Sequence, residues 1–271
     1  MASRPSISLR RRLSTRMPSI RRLLAGVGAV ALSAVLVALL SGPWLRIGEL
    51  GWEGQRYTSD SELETALAPA RGTSALAVDT GALAARVKEL PAVADATVEV
   101  SLTGRIQATV VESAAAFVWE TRHERFIGSA DGTLFVEIDD EPNASTAGLP
   151  TIRDTRFAAR VLTLGDVVPE ELVRVSMRLA ALDPALLGTV ATDLTIAVDD
   201  EYGFRIASAA QAWEIAFGVY GRDPNETSAE ADARLDRQVT AVRTLFASRP
   251  EAELAWVDVR NPGKVYFRAK G

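Results

Sequence analysis

The sequence predicts an α+β protein attached to a membrane by a single N-terminal transmembrane helix, and three observations carry this prediction. An uncharged apolar run covers residues 23–45 and follows a tail rich in arginine. The helical period of about 3.6 residues and the strand period of about two residues both occur in the part that follows. That part has about 225 residues, which is enough for one large domain or two small ones.

The apolar run is long enough to cross a bilayer. A helix rises about 1.5 Å per residue, so roughly 20 apolar residues span the hydrocarbon core. We place the transmembrane helix at 23–43, because Ser41-Gly42-Pro43 interrupts the helical pattern. Residues 1–22 contain seven arginines and no Asp or Glu, and the positive-inside rule keeps such a tail in the cytoplasm. The prediction is a single-pass protein of the plasma membrane whose C-terminal domains are extracytoplasmic.

A cleaved signal peptide and a twin-arginine signal are the alternatives for this N-terminus. A signal peptide has a shorter apolar region, about 7–15 residues, followed by an A-x-A-like cleavage site. The run here is longer, and Leu39-Leu40-Ser41 does not match that cleavage pattern. Arg10-Arg11-Arg12 supports the twin-arginine alternative. We favour a permanent anchor, because the length of the run fits one.

Composition argues against nucleic-acid binding and against several enzyme classes. The chain has 30 basic and 35 acidic residues, and without the seven tail arginines the other 23 basic residues leave a net charge of −12. An acidic exported part does not suggest a nucleic-acid partner. Cysteine is absent, which excludes disulfides, thiol nucleophiles and Cys-based zinc sites. The sequence also lacks the nucleophile elbow G-x-S-x-G, the phosphate loop and the dinucleotide-binding motif.

The remaining candidates for catalysis or metal binding are weak. His123 lies in a polar stretch that is typical of a solvated hairpin. The acidic clusters Asp139-Asp140-Glu141 and Asp199-Asp200-Glu201 could bind a hard cation or act as a carboxylate pair in acid–base catalysis. Each cluster lies close to Pro, Asn or Gly, however, which favours a solvated turn. The sequence therefore predicts no enzyme, no catalytic residue, no cofactor, no metal site and no small-molecule substrate.

The first exported module, 45–113, has the predicted order β-α-α-β-β. A strand begins at Ile47, the capping box Ser59-Asp60-Ser61-Glu62 starts the first helix, and Asp79 caps the second. Two strands of alternating polarity then form a hairpin. Their inward-facing residues and the turn between them are Ala96, Val98 and Val100, then Leu102-Thr103-Gly104, then Ile106, Ala108 and Val110.

This order resembles polypeptide-transport-associated (POTRA) domains, and with the preceding apolar segment the chain is similar to the FtsQ/DivIB family of bacterial cell-division proteins. The stretches that carry the resemblance are 47–54, 76–79, 90–98 and 110–119. Three positions depart from the family pattern. Ser113 replaces the usual Arg, Ala115 replaces a frequent Pro, and Leu102-Thr103-Gly104 replaces an aromatic-Pro turn.

The second exported module, 114–268, is predicted to be β-rich. Asp131-Gly132 is a strong hairpin signal and resembles the element with which the family opens its second domain. Pro169 begins one helix, with Leu172, Val175, Leu179 and Leu182 as its buried stripe, and the capping box Thr227-Ser228-Ala229-Glu230 begins another. The predicted strands of the C-terminal half are 194–198, 204–206, 213–219, 256–260 and 264–268.

The resemblance covers about 47–268 and implies a function. It implies a non-enzymatic scaffold of the divisome, located at the division septum, that links assembly on the cytoplasmic side to septal cell-wall synthesis outside. The implied partners are small bitopic coiled-coil proteins of the FtsL and FtsB/DivIC types. The implied binding mode is addition of a partner strand to the C-terminal β region.

The last strand is the predicted partner-binding site. A terminal strand is expected at a sheet edge, where unpaired N–H and C=O groups can template another chain. Its side chains Val265, Tyr266, Phe267 and Arg268, together with Arg260, are the expected partner-binding residues, since aromatic residues and Arg dominate many interfaces. The alternative is a hairpin that only completes the sheet, with its charges preventing aggregation.

Two other functions remain as alternatives. A POTRA-containing protein of secretion or outer-membrane assembly normally carries a membrane β-barrel, whereas about 155 residues with two amphipathic helices follow Glu112 here. A membrane-anchored exported enzyme would need a catalytic constellation, and the sequence shows none.

Overall fold

The structure, a computed structural model, describes residues 20–40, 45–138 and 146–271. Three parts of the sequence predictions lie outside these ranges. They are most of the basic tail 1–22, the interruption at Ser41-Gly42-Pro43 and the acidic cluster Asp139-Asp140-Glu141.

The first helix, α1, comprises Ile20–Leu40 and overlaps most of the predicted transmembrane segment 23–43. Apolar side chains along it, among them Leu24, Val27, Val30 and Leu32, are exposed. Among the ranges given above, no helix has both the length and the apolar character that a membrane crossing requires.

The first folded module confirms the predicted β-α-α-β-β order. Its elements are β1 (Glu49–Glu53), α2 (Asp60–Leu67), α3 (Thr80–Lys88), β2 (Val93–Val100) and β3 (Arg105–Glu112). β3 is the central strand of a three-stranded sheet, with β1 parallel to it on one side and β2 antiparallel on the other. The boundaries predicted for this module stay predictions, because strand bounds alone do not define a domain.

Local capping fixes both helices of this module. The Ser59 hydroxyl accepts from the Glu62 N–H at 3.3 Å, and the Glu62 carboxylate accepts from the Ser59 N–H at 2.8 Å. An Asp79 carboxylate oxygen accepts from the Ala82 N–H at 2.9 Å. These bonds satisfy N–H groups that a helix start leaves without partners. The predicted capping box and the predicted Asp79 cap are therefore both confirmed.

One face of the small sheet is covered by α2 and α3. Alternate side chains of β3 point toward the helices, as the strand period requires. The fully or almost fully buried residues of this core include Ile47, Leu63, Leu67, Leu83, Val87, Ile106, Ala108 and Val110.

The second module contains a nine-stranded mixed sheet. Its strands are β4 (Ala115–Glu120), β5 (Arg125–Ser129), β6 (Leu134–Ile138), β7 (Thr151–Asp154), β8 (Leu194–Asp199), β9 (Gly203–Ser208), β10 (Trp213–Gly218), β11 (Leu254–Asp258) and β12 (Tyr266–Ala269). The strand order across the sheet is β12-β11-β10-β9-β8-β7-β4-β5-β6. Only two residues, Ser113 and Ala114, separate β3 of the first sheet from β4 of the second.

Helices cover one face of this sheet. They are α4 (Glu170–Ala180), the short α5 (Pro184–Leu187) and α6 (Ser228–Ser248). Leu172, Val175 and Leu179 of α4 are buried in the same core as Trp119 and Trp213 from the strands. The opposite face carries ion pairs, including those that Arg205 makes with Asp199 and Glu214.

The predicted α4 extends too far. The helix ends at Ala180, so Leu182 of the predicted stripe lies beyond it, although Leu182 still packs against the core. Asp183 begins a new short helix instead, because its carboxylate accepts from the Ala185 N–H at 2.9 Å and Pro184 occupies the first helical position. The loop before α6 ends where the predicted Thr227 capping box lies, and that box is confirmed.

Candidate protein-interaction site

The strand β12 forms an edge of the large sheet. In the described parts of the chain it pairs with β11 on one side, and the strand order ends there. All four of its residues are exposed. An edge strand presents a row of backbone N–H and C=O groups that another chain can pair with. The sequence prediction of a terminal edge strand at this place matches the geometry.

Three predicted partner-binding residues lie on β12. Tyr266 is opposite Asp258, Phe267 is opposite Val257, and Arg268 is opposite Trp256. Phe267 therefore projects toward the helix-covered face, while Tyr266 and Arg268 project toward the open face.

The other two predicted residues, Val265 and Arg260, lie outside the paired strands. Asp258 ends β11, because its carboxylate accepts from the Arg260 N–H at 3.0 Å and turns the chain. A turn in which the Lys264 N–H donates to the Asn261 carbonyl at 3.1 Å delays the start of β12. The predicted strands 256–260 and 264–268 are thus shifted to Leu254–Asp258 and Tyr266–Ala269.

Arg260 belongs to a stacked group on the open face. Its guanidinium pairs with the Asp258 carboxylate at 2.7 Å and lies 4.9 Å from the centre of the Tyr202 ring. The Tyr202 ring in turn meets Trp256 edge-on, with ring centres 4.7 Å apart. The hydrogen bonds from Arg260 hold the pKa of the Asp258 carboxyl below its ordinary value. These contacts therefore hold the Arg260 side chain in one position.

Gly218 makes room for this arrangement. Its φ of +95° is one that residues with a Cβ rarely adopt. A Cβ at this position would lie 3.2 Å from Cγ of Arg260. The absence of a side chain at 218 lets the Arg260 stem lie across the end of β10.

A groove lies on the other side of the edge, between α6 and the β11–β12 connection. It has a volume of about 420 Å³. Ala241, Val259 and Val265 contribute apolar lining, and Arg237 and Lys264 add positive charge. Phe267 lies near this side, with the Arg249 guanidinium 4.7 Å from its ring centre. The edge thus has a basic, partly apolar depression beside it.

Buried Gln238 holds α6 against the strands that form this groove. Its amide N–H group donates to the Phe217 carbonyl at 2.8 Å and to the Val259 carbonyl at 2.9 Å. Its amide oxygen accepts from the Tyr220 hydroxyl at 2.5 Å. Burial raises the pKa of Tyr220 to about 12, so the hydroxyl keeps its proton at neutral pH. Every polar atom of the Gln238 side chain is therefore used to fix the groove wall.

Lys270 fixes the far end of β12. Its ammonium group donates to the Gln211 carbonyl at 2.6 Å and to the Ala252 carbonyl at 2.9 Å. Its backbone N–H donates to the Glu253 carbonyl at 2.8 Å. These bonds hold the strand against β11 just past its last residue.

Sequence reasoning missed four residues of this region, namely Tyr202, Gln238, Arg249 and Trp256. Trp256 lies in a strand that the pattern did predict, and Tyr202 lies in a predicted turn. The alternation of residues along β11 could have indicated the position of Trp256, because it places the Trp256 side chain on the same face of the sheet as Arg268. Gln238 and Arg249 give no such signal, because their roles depend on contacts between distant elements.

The described ranges contain no cluster of three or more His, Cys, Asp or Glu side chains that could hold a metal ion. Asp199 pairs with Arg205 and accepts from the Glu201 N–H at 2.8 Å, and Asp200 accepts from the Phe157 N–H at 2.7 Å. His123 is exposed between β4 and β5. Of the cluster Asp199-Asp200-Glu201, Asp199 is therefore the last residue of β8, and Asp200 and Glu201 lie in the turn that follows.

The fold and the edge define a class of protein. A POTRA-type module joined to a β-rich module with an open edge strand is suited to binding other proteins.

Residues 46–113 match the family model described as the POTRA domain of the FtsQ type. The cell division protein FtsQ of Streptomyces venezuelae is 29% identical over 170 residues, covering 59% of this chain and 63% of that relative. The match thus spans less than two thirds of the relative's length. In these matched regions the chain is therefore similar to cell-division proteins of the FtsQ type.

Proposed function

We propose that this chain is a non-enzymatic scaffold of the bacterial division machinery that binds small bitopic coiled-coil partners of the FtsL and FtsB/DivIC types. The observation that carries the proposal is the exposed edge strand β12 at the end of the nine-stranded sheet. The FtsQ-type POTRA match and the FtsQ relative support the division context. In this proposal, partner binding outside the membrane connects cytoplasmic assembly to septal cell-wall synthesis.

Strand addition at β12 suits this geometry. Backbone hydrogen bonds to an added strand provide affinity, and alternate side chains provide specificity. Tyr266 and Arg268 would contact the partner on the open face, next to Arg260. Phe267 and Val265 would contact it on the face of the groove. The basic rim at Arg237 and Lys264 favours a partner segment that carries acidic side chains.

Membrane attachment through α1 completes the proposal. The exposed apolar side chains of α1 favour a lipid environment over water. The seven arginines of the preceding tail favour a cytoplasmic N-terminus. The two modules after α1 are then extracytoplasmic, where the proposed partners have their coiled coils.

Depletion of the chain tests the division role. Cells that lose the protein should grow as filaments, because septal synthesis lacks its scaffold. A fluorescent fusion at the N-terminus should collect at midcell before constriction. Normal septation on depletion, with fluorescence spread evenly along the cell, would contradict the proposal.

Single-cysteine variants test the binding mode, since the native chain contains no cysteine. Cysteines placed in turn at Tyr266, Phe267, Arg268 and Ala269 are combined with a cysteine scan of the partner's terminal segment. Strand addition predicts that disulfides form along one diagonal of this matrix, because a register fixes each residue opposite one partner position. Scattered or absent cross-links would rule out an added strand.

Side-chain truncations provide the matched comparison. Tyr266→Ala should weaken partner binding by roughly tenfold, the scale expected for an interface aromatic. Phe157→Ala is the control, because Phe157 is also an exposed aromatic of the second module but lies just after β7 in the middle of the sheet. Equal losses for the two variants would show that β12 is not the binding site.

A further inference from the structure

The first module has one end that is tied to the start of the chain's folded part. We call this the Leu45 end and define it as residues 45–48, 71–77 and 101–104. The Ala75 N–H donates to the Leu45 carbonyl at 2.7 Å, and the Ile47 N–H donates to the Thr73 carbonyl at 2.9 Å. The Gly48 N–H donates to the Gly104 carbonyl at 2.9 Å. Three separate segments are therefore held together immediately after α1.

The packing at the Leu45 end is close as well as hydrogen-bonded. Ile47 is almost completely buried. Gly104 has a φ of +80°, and a Cβ there would lie 2.3 Å from the Arg46 carbonyl oxygen. Such an approach is open only to glycine. The loops of this end therefore cannot move far from Leu45 without unfolding part of the module.

Two leucines at this end face solvent. Leu76 is 54% exposed and Leu102 is 68% exposed. Each lies in a loop where a polar residue would normally be found. They lie on the two loops that the hydrogen bonds above tie to Leu45 and Gly48. A single exposed leucine needs no explanation, but two on the surface nearest a proposed anchor form a coherent feature.

Chain length limits how far this end can be from the end of α1. Five residue steps join Leu40 to Leu45, and an extended chain covers at most about 3.6 Å per residue. Leu45 therefore lies within roughly 18 Å of the last residue of α1. The headgroup layer of one leaflet takes up roughly 5–8 Å of such a distance. The exposed leucines are within reach of the lipid interface whenever α1 is in the membrane.

We propose that the Leu45 end is a lipid-docking surface, with Leu76 and Leu102 inserted at the boundary between headgroups and acyl chains. This proposal rests on the membrane attachment proposed for α1. Insertion removes both side chains from water, which is the driving force for shallow interfacial binding. The exposed Arg46 between the two loops can meet lipid phosphates. Docking fixes the direction in which the first module, and the sheet joined to it, leaves the membrane.

The test uses the full chain in vesicles, with one environment-sensitive label on each single-cysteine variant. The variants are Leu76→Cys, Leu102→Cys and the control Val111→Cys. Val111 is 56% exposed on the same module, but it lies near the other end of β3, roughly 20 Å along the strand from the Leu45 end. The vesicles contain phosphatidylethanolamine and phosphatidylglycerol, with or without nitroxide-bearing lipid.

Labels at 76 and 102 should show blue-shifted emission, several-fold weaker quenching by iodide than the label at 111, and strong quenching by nitroxide lipid. If the protein floats with the vesicles but iodide quenches the labels at all three positions equally, the docking proposal is wrong and the proposed anchor stands. Shielding from iodide without nitroxide quenching overturns it too, because a protein contact would then cover the leucines. Failure to float with vesicles would instead refute the anchor, and the docking proposal with it.

Discussion

At the scale of single residues, Glu112 at the end of β3 organises the loop before α2. One carboxylate oxygen accepts from the Arg56 N–H at 2.7 Å and from the Tyr57 N–H at 2.8 Å, and the other accepts from the Thr58 N–H at 2.7 Å. Partial burial raises the pKa of Glu112, but hydrogen bonds from Thr58, Tyr57 and Arg56 outweigh it, so the net pKa lies below its ordinary value. The loop geometry therefore depends on one ionised side chain.

Replacing Glu112 by Gln should destabilise the first module. An amide keeps one acceptor oxygen and puts an NH2 group against a backbone N–H donor, so at least one backbone donor of the loop loses its partner. We expect a loss of about 1–3 kcal/mol in the free energy of unfolding at pH 7. Urea unfolding of the purified protein measures it. Glu53→Gln is the control, since Glu53 is exposed at the end of β1, and it should change stability little.

The pH dependence of this loss follows from the lowered pKa of Glu112. The pKa of Glu112 is lower in the folded state than its ordinary value of 4.5, which applies to the unfolded chain. The ionised carboxylate therefore stabilises the fold at pH values above 4.5, and this stabilisation is lost as the pH falls through the folded-state pKa. The glutamine variant has no such group. The stability difference between the two proteins should therefore shrink below about pH 4.5. A difference that stays constant down to pH 3 would contradict the role given to the carboxylate.

Single residues also show what the sequence could and could not predict. The capping residues Ser59, Asp79 and Thr227 were predictable because each cap joins groups within three positions. The contacts of Glu112 cross 54 to 56 positions, and those of Gln238 cross 18 to 21. Such bonds depend on how the elements are folded against one another, so a local pattern does not reveal them. Arg260 was predicted as a contact residue, but its pairing with Asp258 and Tyr202 was not.

At the scale of elements, β12 is held by its pairing with β11 and by contacts at both of its ends. The turn at 261–264 precedes it, and the bonds of Lys270 follow it. The alternation of residues predicted that this strand exists and that it is terminal. It did not predict that β11 runs parallel to β10, since that pairing depends on the path of α6 between them. The period of two residues thus predicts that a strand exists. Which strand it pairs with depends on the three-dimensional path of the chain.

Replacing Lys270 by Met should loosen the end of β12. Methionine keeps the length of the side chain but cannot donate to the Gln211 and Ala252 carbonyls. Amides of β12 that donate to β11 should exchange with solvent about three- to tenfold faster, equivalent to roughly 1 kcal/mol. Hydrogen exchange followed by NMR measures this. Lys264→Met is the matched control, because Lys264 is exposed in the preceding turn, and unchanged exchange in both variants would contradict the end-fixing role.

At the scale of the whole molecule, two features set the orientation of one sheet relative to the other. Ser113 and Ala114 form a very short connection between β3 and β4. Tyr57, in the loop held by Glu112, meets Phe135 of β6 edge-on with ring centres 5.4 Å apart. Ala92 and Ile127 are buried in the same small cluster. The sequence predicted two modules but gave no sign of this contact, because Tyr57 and Phe135 lie in unrelated local patterns.

Removing this aromatic contact should increase motion between the modules. Tyr57→Ala and Phe135→Ala should each lower the free energy of unfolding. The loss in the double variant should be smaller than the sum of the two single losses by about 0.5–1.5 kcal/mol, the energy of the contact between the rings. Residual dipolar couplings should then fit the two modules to different alignment tensors. A single rigid alignment in all three variants would show that the short connection alone fixes the orientation.

The position of β12 in the strand order has a consequence for how many proteins the chain could bind at once, if partners bind as proposed. Eight interstrand spacings of about 4.8 Å place β12 roughly 38 Å across the sheet from β6, which lies beside the first module. A strand added at β12 would lengthen the sheet on the side away from the POTRA-type module. In the proposed binding mode, a partner strand at β12 would therefore leave the first module sterically open to a different protein.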